Sequence, residues 1–448
     1  MGKKIVIIGC NAAGISAAIA ARKTDPDAEI TMISRERYTA YARCGLPFAL
    51  AKEVPSFEAL IDFPMDFYEQ MNFNLKLESD VTDIDAKQKR VELESKKGKE
   101  TLTYDALIMA TGADPIFPPI KGSEKKGIFK LRTLDDGKAI DQAASKSKKA
   151  LVVGAGLIGL EVADALVRRG LKVTVVELLP QAVRPLLDED FAEIVHKRVT
   201  ERGVRLILNH AADEFLGGDK VEAVLVGEEK IPTDFVVMTI GVRANTALAQ
   251  KIGAELGVTK CIKVNSRMET TVKDVYACGD CVESRHLVTG LPTVSQLGTT
   301  ANRQGKVAGI NAAGGYAIFP GVLSTAVTKF FDMEIGYTGL TEWQAKLAGI
   351  EPIVSNVSWK TRAHYHPEVK NMEVKLLFDP DLGVVIGGQI IAGESVAMRI
   401  NLLSVAISNR MTAFELAKID AGYAPPLNDA VEPIAMAAES AAKSLKAT

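Results

Sequence analysis

One glycine motif constrains the fold of this chain more than any other stretch. Residues 150–153 predict a buried strand, which leads into the sequence Gly-Ala-Gly-Leu-Ile-Gly at residues 154–159. In a Gly-x-Gly-x-x-Gly loop the first glycine forms a tight turn, the second lets the backbone approach a pyrophosphate, and the third lets a helix pack closely on the strand. Residues 172–177 predict a following strand that ends in an acid. This spacing predicts a parallel α/β unit that binds a dinucleotide.

The acid at the end of that second strand indicates which dinucleotide is preferred. Glu177 lies 23 residues after Gly154, where a carboxylate accepts hydrogen bonds from the ribose hydroxyls and repels a 2′-phosphate. Leu178 and Leu179 follow it, so no arginine is present there to bind that phosphate. We therefore expect NADH, with NADPH less favoured.

A second unit of the same kind, with a less regular motif, lies at the N-terminus. Residues 5–8 predict a strand, residues 9–14 a turn, and the following residues a helix to about Lys23. Asn11 stands at the second glycine position, and Asn tolerates unusual backbone angles better than most residues. The next strand, residues 29–33, is followed by Ser34, with Glu36 two residues further on. Which of these two side chains binds a ribose stays open.

A single cysteine, Cys44, follows this unit. A thiol reacts as thiolate, which needs positive potential nearby, and Arg43 is adjacent while Gly45 and Pro47 predict a turn into a helix. The alternative is a small buried packing residue, because free Cys is among the most buried types. Its immediate neighbours alone do not decide between these two interpretations.

Length and composition bound the remaining possibilities. A chain of 448 residues predicts about three domains. The net charge of -2 and the ordinary charged fraction of 25% indicate neither a nucleic acid nor an anionic membrane as partner. The apolar run at residues 5–21 changes from strand to helix periodicity, so it is not a signal peptide. Five cysteines, an odd number, argue against a secreted disulfide framework and favour the cytoplasm.

Cys278 and Cys281 form a Cys-x-x-Cys pair that is typical of a redox pair or of half a zinc site. The sequence holds no second pair at zinc-like spacing. We therefore expect no metal.

The motifs together resemble one family. Two dinucleotide units, a cysteine after the first, Ala-Thr-Gly at residues 110–112, Gly-Val-Arg-Ala-Asn-Thr at 241–246 and Ala-Cys-Gly-Asp at 277–280 resemble the flavin-dependent pyridine nucleotide-disulfide oxidoreductases. The resemblance covers nearly the whole chain. It implies an α/β protein with two Rossmann-like domains and a C-terminal α+β dimerisation domain. The implied domains are FAD-binding at 1–115 and 249–325, NADH-binding at 116–248, and dimerisation at 326–448.

The same resemblance implies the cofactor sites. FAD is expected at Gly9, Asn11, Ala12, Ala13, Gly14, Ser34, Arg35, Glu36, Arg43, Ala110, Thr111, Gly112, Asp280, Thr299, Thr300 and Ala301. NADH is expected at Gly154, Gly156, Leu157, Ile158, Gly159, Glu161, Glu177 and Gly241. Glu161 matches the family glutamate near the nicotinamide, although a solvated helix position is the alternative. Tyr423 and Tyr365 match regions of the C-terminal domain that reach the active-site cysteine of the other subunit in a homodimer.

Departures from the family pattern indicate the branch. Two-cysteine members carry Cys-x4-Cys, but the fifth residue after Cys44 is Ala49, so the chain resembles the single-cysteine branch. That branch contains coenzyme A-disulfide reductases, persulfide reductases, and NADH oxidases and peroxidases. Its oxidases and peroxidases place a histidine where this chain has Ala12. Ser16 and Lys23, which share one helical face, match the thiol channel of the coenzyme A-disulfide reductases, although Ala20 and Ala40 replace polar residues of that channel.

The motifs and the resemblance together imply an FAD-dependent NADH oxidoreductase that reduces a small-molecule disulfide, polysulfide or persulfide, with coenzyme A-linked compounds among the candidate substrates. Cys44 would form the mixed disulfide or persulfide, because exchange proceeds by thiolate attack. The first alternative is an NADH oxidase or peroxidase that cycles Cys44 through sulfenic acid. The second is a reductase of a protein redox partner.

Overall fold

The first 115 residues supply most of one parallel sheet. The computed structural model describes residues 2–447. The elements of this part are β1 (Lys4–Ile8), α1 (Ala12–Thr24), β2 (Glu29–Ile33), a 3-10 turn (Arg43–Gly45), α2 (Leu46–Leu50), a second 3-10 turn (Glu58–Leu60), α3 (Met65–Gln70), β3 (Phe73–Lys76), β4 (Ser79–Asp85), β5 (Arg90–Ser95), β6 (Gly98–Thr103), β7 (Ala106–Met109) and β8 (Ala113–Pro115). Strands β4, β5 and β6 form a separate antiparallel sheet.

The next part forms its own parallel sheet. Its elements are β9 (Ile128–Lys130), α4 (Leu134–Ala144), β10 (Lys149–Val153), α5 (Leu157–Arg168), β11 (Lys172–Val176), α6 (Glu189–Glu201), β12 (Arg205–Ile207), β13 (Glu214–Leu216), β14 (Ala223–Val226), β15 (Glu229–Pro232), β16 (Phe235–Met238) and β17 (Val242–Ala244). The strand order is β12-β11-β10-β16-β9, and the pairs are parallel. All four residues of β16 are buried, as expected when helices cover both faces of a parallel sheet.

The chain then returns to the first sheet. This segment contains α7 (Ala247–Lys251), β18 (Val275–Ala277), β19 (Ser284–Arg285), β20 (Pro292–Thr293) and α8 (Gly298–Ala312). Strand β18 pairs with β7 and completes the parallel order β18-β7-β1-β2-β3. Helices α1 and α8 pack backbone to backbone, because a Cβ on Gly305 or Gly309 would lie only 2.1 Å from the carbonyl oxygen of Ala13 or Ala17.

The last part is an antiparallel sheet with helices. It contains β21 (Ala326–Phe330), β22 (Met333–Gly339), α9 (Glu342–Leu347), β23 (Ile353–Lys360), β24 (Asn371–Phe378), β25 (Val385–Ala392), α10 (Val396–Ser408), α11 (Ala413–Leu416) and α12 (Pro433–Ala447). The order β21-β22-β25-β24-β23 is antiparallel throughout. Every residue of β25, the central strand, is buried.

The elements expected at the two glycine motifs are present. The second strand of the first unit was predicted at residues 29–33, and β2 spans Glu29–Ile33. Within residues 2–447, no helix is both long and apolar enough to cross a membrane. The domain boundaries after residues 115, 248 and 325 stay predictions.

Candidate active site

Three loops of the first sheet open on the same edge. Strands β1, β7 and β18 are parallel neighbours, and the carboxyl ends of parallel strands are where open α/β sheets bind ligands. The loops at these ends carry residues 9–14, residues 110–112 and residues 278–280. The fold therefore brings together three motifs that lie far apart in the sequence.

The first loop has the backbone that its glycines require. Gly9 has a φ of +108°, and a Cβ there would lie 2.1 Å from the Ala110 carbonyl oxygen. A Cβ on Gly14 would lie 1.8 Å from the Gly9 carbonyl oxygen. Asn11 caps α1, because its side chain accepts a hydrogen bond of 2.9 Å from the Ala12 N–H. Asn at the second position therefore serves as a helix cap, with φ at −89°.

The side chains after β2 form a polar cluster. Ser34 Oγ accepts a 3.1 Å hydrogen bond from the Glu36 N–H, so it supports the local turn. The Glu36 carboxylate is paired with Arg43 and accepts a 2.6 Å hydrogen bond from the Tyr41 hydroxyl. Arg35 is exposed and lies 3.7 Å from Asp114. The guanidinium of Arg43 therefore faces Glu36. Which of Ser34 and Glu36 binds a ribose stays open.

The loops after β7 and β18 supply further polar groups. The hydroxyl of Thr111 donates a 2.7 Å hydrogen bond to the Asn245 carbonyl oxygen, which ties the two connections between the nucleotide units together. Gly112 and Gly279 both have positive φ, at +67° and +83°. The carboxylate of Asp280 lies 3.0 Å from the Arg132 guanidinium. Arg132 precedes α4, and no sequence motif marks it.

Helix α8 begins at this edge without a side-chain cap. Leu297 stands at its N-cap position, and no side chain accepts from the first amides. The first four N–H groups of a helix have no partner within the helix, and its dipole favours negative charge there. Thr299 is exposed, whereas Thr300 and Ala301 are buried and the Thr300 hydroxyl lies 2.8 Å from that of Ser295. These amides remain available to an anionic or electron-rich ligand.

These groups fit FAD. The glycine turn places the N-terminus of α1 at this sheet edge, and helix N-termini favour phosphate groups. The cluster around Glu36 offers hydrogen-bonding groups, and Asp280 and the start of α8 lie further along the same sheet edge. When bound, FAD would accept a hydride and pass two electrons on to the acceptor.

The second unit has the geometry of a dinucleotide loop. Gly154 has a φ of +103°, and a Cβ there would lie 2.6 Å from the Thr239 carbonyl oxygen. A Cβ on Gly159 would lie 2.0 Å from the Gly154 carbonyl oxygen, whereas one on Gly156 meets nothing within 4 Å. Gly156 therefore borders open space at the helix start, as a pyrophosphate requires.

Other predicted residues of this unit surround the same loop. Glu177 accepts hydrogen bonds of 2.7 Å and 2.9 Å from the N–H groups of Ala155 and Leu179. Leu157 begins α5, and the side chain of Ile158 is exposed beside it. Gly241 follows β16 with a φ of +105°. The acid is thus held at the glycine turn, where it can meet a ribose.

Cys44 differs from the other four cysteines. It is exposed, whereas Cys10, Cys261, Cys278 and Cys281 are buried, and all five are free thiols. It lies in the 3-10 turn before α2, which packs against α5 of the second unit. Although the residue is exposed, partial desolvation of its sulfur raises the pKa of the Cys44 thiol, the carboxylates of Glu161 and Asp280 raise this pKa further, and Arg132 opposes them. The thiol therefore lies within electrostatic reach of both nucleotide units.

Glu161 is a half-buried carboxyl on α5, and its partner comes from the C-terminal part of the chain. The hydroxyl of Thr328, on β21, donates a 2.6 Å hydrogen bond to Glu161 Oε1. Burial raises the pKa of Glu161 to about 7, and the hydrogen bond from Thr328 opposes that rise. The alternative of a fully solvated helix position is wrong for Glu161. No sequence signal indicated Thr328.

The two tyrosines expected near the thiol lie together. Their hydroxyls are 3.3 Å apart, and the residues Tyr365 and Tyr423 are 64% and 49% exposed. Within residues 2–447 neither hydroxyl is hydrogen bonded to Cys44 of the same chain. The C-terminal part therefore presents a pair of phenol groups on its surface.

The residues expected at a substrate thiol lie on the accessible side of α1. Ser16 is half-buried and Lys23 is exposed. Helix α8, which packs against α1, adds two exposed cations that the sequence reasoning missed, Arg303 and Lys306. The side-by-side placement of these two helices, nearly 300 residues apart in the chain, is indicated by no local motif.

Comparison with known proteins assigns this architecture to a family. The family model for pyridine nucleotide-disulphide oxidoreductases matches residues 3–305, and the model for the dimerisation domain of these enzymes matches residues 325–435. The chain belongs to this family. The resemblance and the fold class predicted from sequence are confirmed. The predicted cofactors are confirmed as well, since the family is FAD-dependent and uses NADH.

Similar proteins carry two kinds of name. An NADH oxidase of Methanocaldococcus jannaschii is 43% identical over 446 residues, which cover 99% of both chains. A CoA-dependent NAD(P)H sulfur oxidoreductase of Pyrococcus abyssi is 33% identical, with 97% of both chains covered. The solved structure of an NAD-dependent persulfide reductase from A. fulgidus has a TM-score of 0.96 at 34% identity, and the match covers 99% of this chain and 84% of that one. The oxidoreductase class is therefore established, and the acceptor is the open question.

Proposed function

We propose that this chain is an FAD-dependent NADH oxidoreductase that reduces a small-molecule disulfide, polysulfide or persulfide through Cys44, in the manner of a coenzyme A-disulfide reductase. One observation carries the proposal. Cys44 is the exposed cysteine among five, and it lies in a turn between the two nucleotide units. Only an accessible thiol can exchange with a sulfur substrate.

The reaction balances without another co-reactant. For a disulfide, NADH, one proton and RSSR′ give NAD⁺, RSH and R′SH. Cys44 attacks one sulfur of the substrate as thiolate and releases the other half as a thiolate, which takes up a proton to become a thiol. The mixed disulfide on Cys44 is then reduced by two electrons from NADH, which regenerates the thiolate and frees the second thiol.

Exposed cations on α1 and α8 would suit an anionic thiol as substrate. Lys23, Arg303 and Lys306 lie on the exposed sides of two packed helices, α1 and α8, and Ser16 adds a hydroxyl on α1. A coenzyme A thiol carries phosphates, which such cations bind. The relative from P. abyssi carries CoA-dependent in its name, which agrees with this part of the proposal.

The working form is proposed to be a homodimer in the cytoplasm. Helix α10 exposes Met398 and Val405, at 75% and 58%, and the matched C-terminal model is a dimerisation domain. In a dimer, Tyr365 and Tyr423 of each chain would approach the thiol of the other. Five free cysteines agree with a reducing compartment.

NADH is the proposed electron donor in preference to NADPH. Glu177 is held at the glycine turn by two backbone amides, where its negative charge opposes a 2′-phosphate. The exposed Leu178 beside it offers no positive charge in compensation.

An NADH oxidase is the second candidate, because the relative from M. jannaschii carries that name at 43% identity. In that reaction Cys44 would alternate between thiolate and sulfenic acid. A reductase of a protein redox partner is the third candidate. The three differ in what reoxidises the enzyme after NADH has reduced it.

Anaerobic stopped-flow measurements separate these candidates. The enzyme is reduced with NADH and mixed with coenzyme A disulfide, polysulfide, hydrogen peroxide or oxygenated buffer while the flavin absorbance is followed. Fast reoxidation by a sulfur acceptor supports the proposal, and fast reoxidation by oxygen or peroxide alone supports the oxidase. Reoxidation by none of them supports a protein partner.

Two serine variants test the role of the thiol. Cys44→Ser should keep FAD and its reduction by NADH but lose sulfur reduction, because a hydroxyl forms no mixed disulfide. Cys261→Ser, at a buried cysteine, is the control and should retain full activity. Near wild-type sulfur reduction by Cys44→Ser would refute the proposal.

A further inference from the structure

A hydrogen bond between two parts of the chain fixes the carboxyl of Glu161. Its donor is Thr328, a buried residue of β21, and the distance to Glu161 Oε1 is 2.6 Å. The same hairpin is docked on α5 a few residues further on, where the Phe331 N–H donates a 2.9 Å hydrogen bond to Asp164. Arg168 also donates to the Phe331 carbonyl oxygen. The position of Thr328 relative to α5 is thus defined by several contacts.

The charges around Glu161 leave it without an ionic partner. On its own helix, Asp164 and Arg168 pair with each other at 2.7 Å. Glu53, which follows α2, is 2.7 Å from the same arginine. On β21, Lys329 is exposed, next to Thr328. Among the described residues, the neutral hydroxyl of Thr328 is therefore the hydrogen-bond donor to Glu161.

Cys44 lies in the turn before α2, and α2 packs against α5, the helix that carries Glu161. The negative charge of Glu161 raises the pKa of the Cys44 thiol, and so does that of Asp280, whereas Arg132 lowers this pKa. Any group that changes the ionisation of Glu161 therefore changes the fraction of Cys44 present as thiolate.

We propose that Thr328 is a positioning residue for the redox site: its hydroxyl fixes the carboxyl of Glu161 on α5 and thereby sets the charge that acts on Cys44. The inference rests on the proposed role of Cys44. It also gives the C-terminal part of the chain an influence on the redox site that is separate from the proposed approach of Tyr365 and Tyr423 to the thiol of the other chain. Docking of the hairpin that carries Thr328 on α5 then becomes a condition for the normal reactivity of the thiol.

The direction of the effect follows from the hydrogen bond. The Thr328 hydroxyl stabilises the ionised carboxylate, so its removal raises the pKa of Glu161 above its value of about 7. More of Glu161 is then neutral at neutral pH. The negative potential at Cys44 weakens, and the pKa of its thiol falls.

The test is the pH dependence of alkylation of Cys44 by iodoacetamide in the reduced, FAD-loaded, full-length protein, measured by mass spectrometry of its peptide. Thr328→Val is nearly isosteric, and Thr328→Ser retains the donor. We expect the midpoint to move to lower pH in Thr328→Val by on the order of half a pH unit. Thr328→Ser should match the wild type, and Glu161→Gln should shift the midpoint at least as far as Thr328→Val.

A double variant keeps the test independent of general structural damage. If Thr328 acts through Glu161, adding Thr328→Val to Glu161→Gln should cause no further shift. An unchanged midpoint in Thr328→Val, an upward shift, or an equal shift in Thr328→Ser would overturn the proposal.

This outcome is separate from the identity of the acceptor, because alkylation needs neither NADH nor a sulfur substrate. If Cys44→Ser still reduced sulfur acceptors, the proposed function would fail. The shift in Cys44 alkylation would still be seen.

Discussion

Lys375 is a buried cation that joins the second nucleotide unit to the C-terminal part, and its removal should destabilise the protein. Its side chain is 1% exposed, and its amino group lies 2.5 Å from Asp190, 2.8 Å from Glu342 and 3.6 Å from Asp188. Asp188 also accepts a 2.5 Å hydrogen bond from Gln389. Lys375→Met preserves most of the side-chain volume but leaves these carboxylates without their cation.

The expected destabilisation is about 3–5 kcal/mol near pH 8, the cost of leaving one partner of a buried ion pair uncompensated. The deficit should shrink at lower pH. Burial raises the pKa of Asp188, and the charge of Lys375 opposes that rise. Without Lys375 the folded-state pKa of Asp188 rises further above its value in the unfolded chain, which is about 4. Between these two pKa values the folded variant holds a proton on Asp188 that the unfolded chain has released. The stability of the variant should therefore increase relative to wild type as the pH falls from 8 to 5.

Tryptophan fluorescence provides the assay, because both tryptophans, Trp343 and Trp359, lie in the C-terminal part. Urea unfolding of the FAD-loaded protein gives the midpoint and slope for wild type and Lys375→Met at each pH. Lys443→Met is the matched control, because its pair with Glu439 is exposed, and a change below about 1 kcal/mol is expected there. A loss in Lys375→Met no larger than the control, or one that is constant from pH 8 to 5, would refute this reasoning.

Three further predictions concern the nucleotide sites and assembly. Gly9→Ala should abolish FAD retention, measured by absorbance after gel filtration, because the new Cβ would clash with the Ala110 carbonyl oxygen. Gly98→Ala is the control: Gly98 also has a positive φ but borders open space, so this variant should retain FAD. Glu177→Ala should lower the preference for NADH over NADPH about tenfold in kcat/KM, and an unchanged ratio would exclude Glu177 as the determinant. Light scattering at micromolar concentration should show a dimer, and a fully active monomer would contradict the proposed composite site.

The periodic parts of the fold were predictable because their signals are local. The strand and glycine turn at residues 150–159 were predictable from an apolar run followed directly by the glycine motif. The structure has β10 at Lys149–Val153 and α5 from Leu157. The exposed cations on α8 were not predictable in this way. Arg303 and Lys306 come to lie on a helix beside α1 only because α8 packs on α1 through Gly305 and Gly309.

The electrostatic environment of Cys44 was also not predictable from its neighbours in the sequence. The adjacent Arg43 suggested a local cation for the thiol, but its guanidinium is paired with Glu36. The cation that lowers the thiol pKa is Arg132, from the loop before α4, and it is itself paired with Asp280. A sequence pattern reports which charges are near along the chain, whereas the potential at a thiol depends on which charges are already paired. The reactivity of Cys44 is therefore a property of three assembled parts: the two segments that form the first sheet, and the second nucleotide unit.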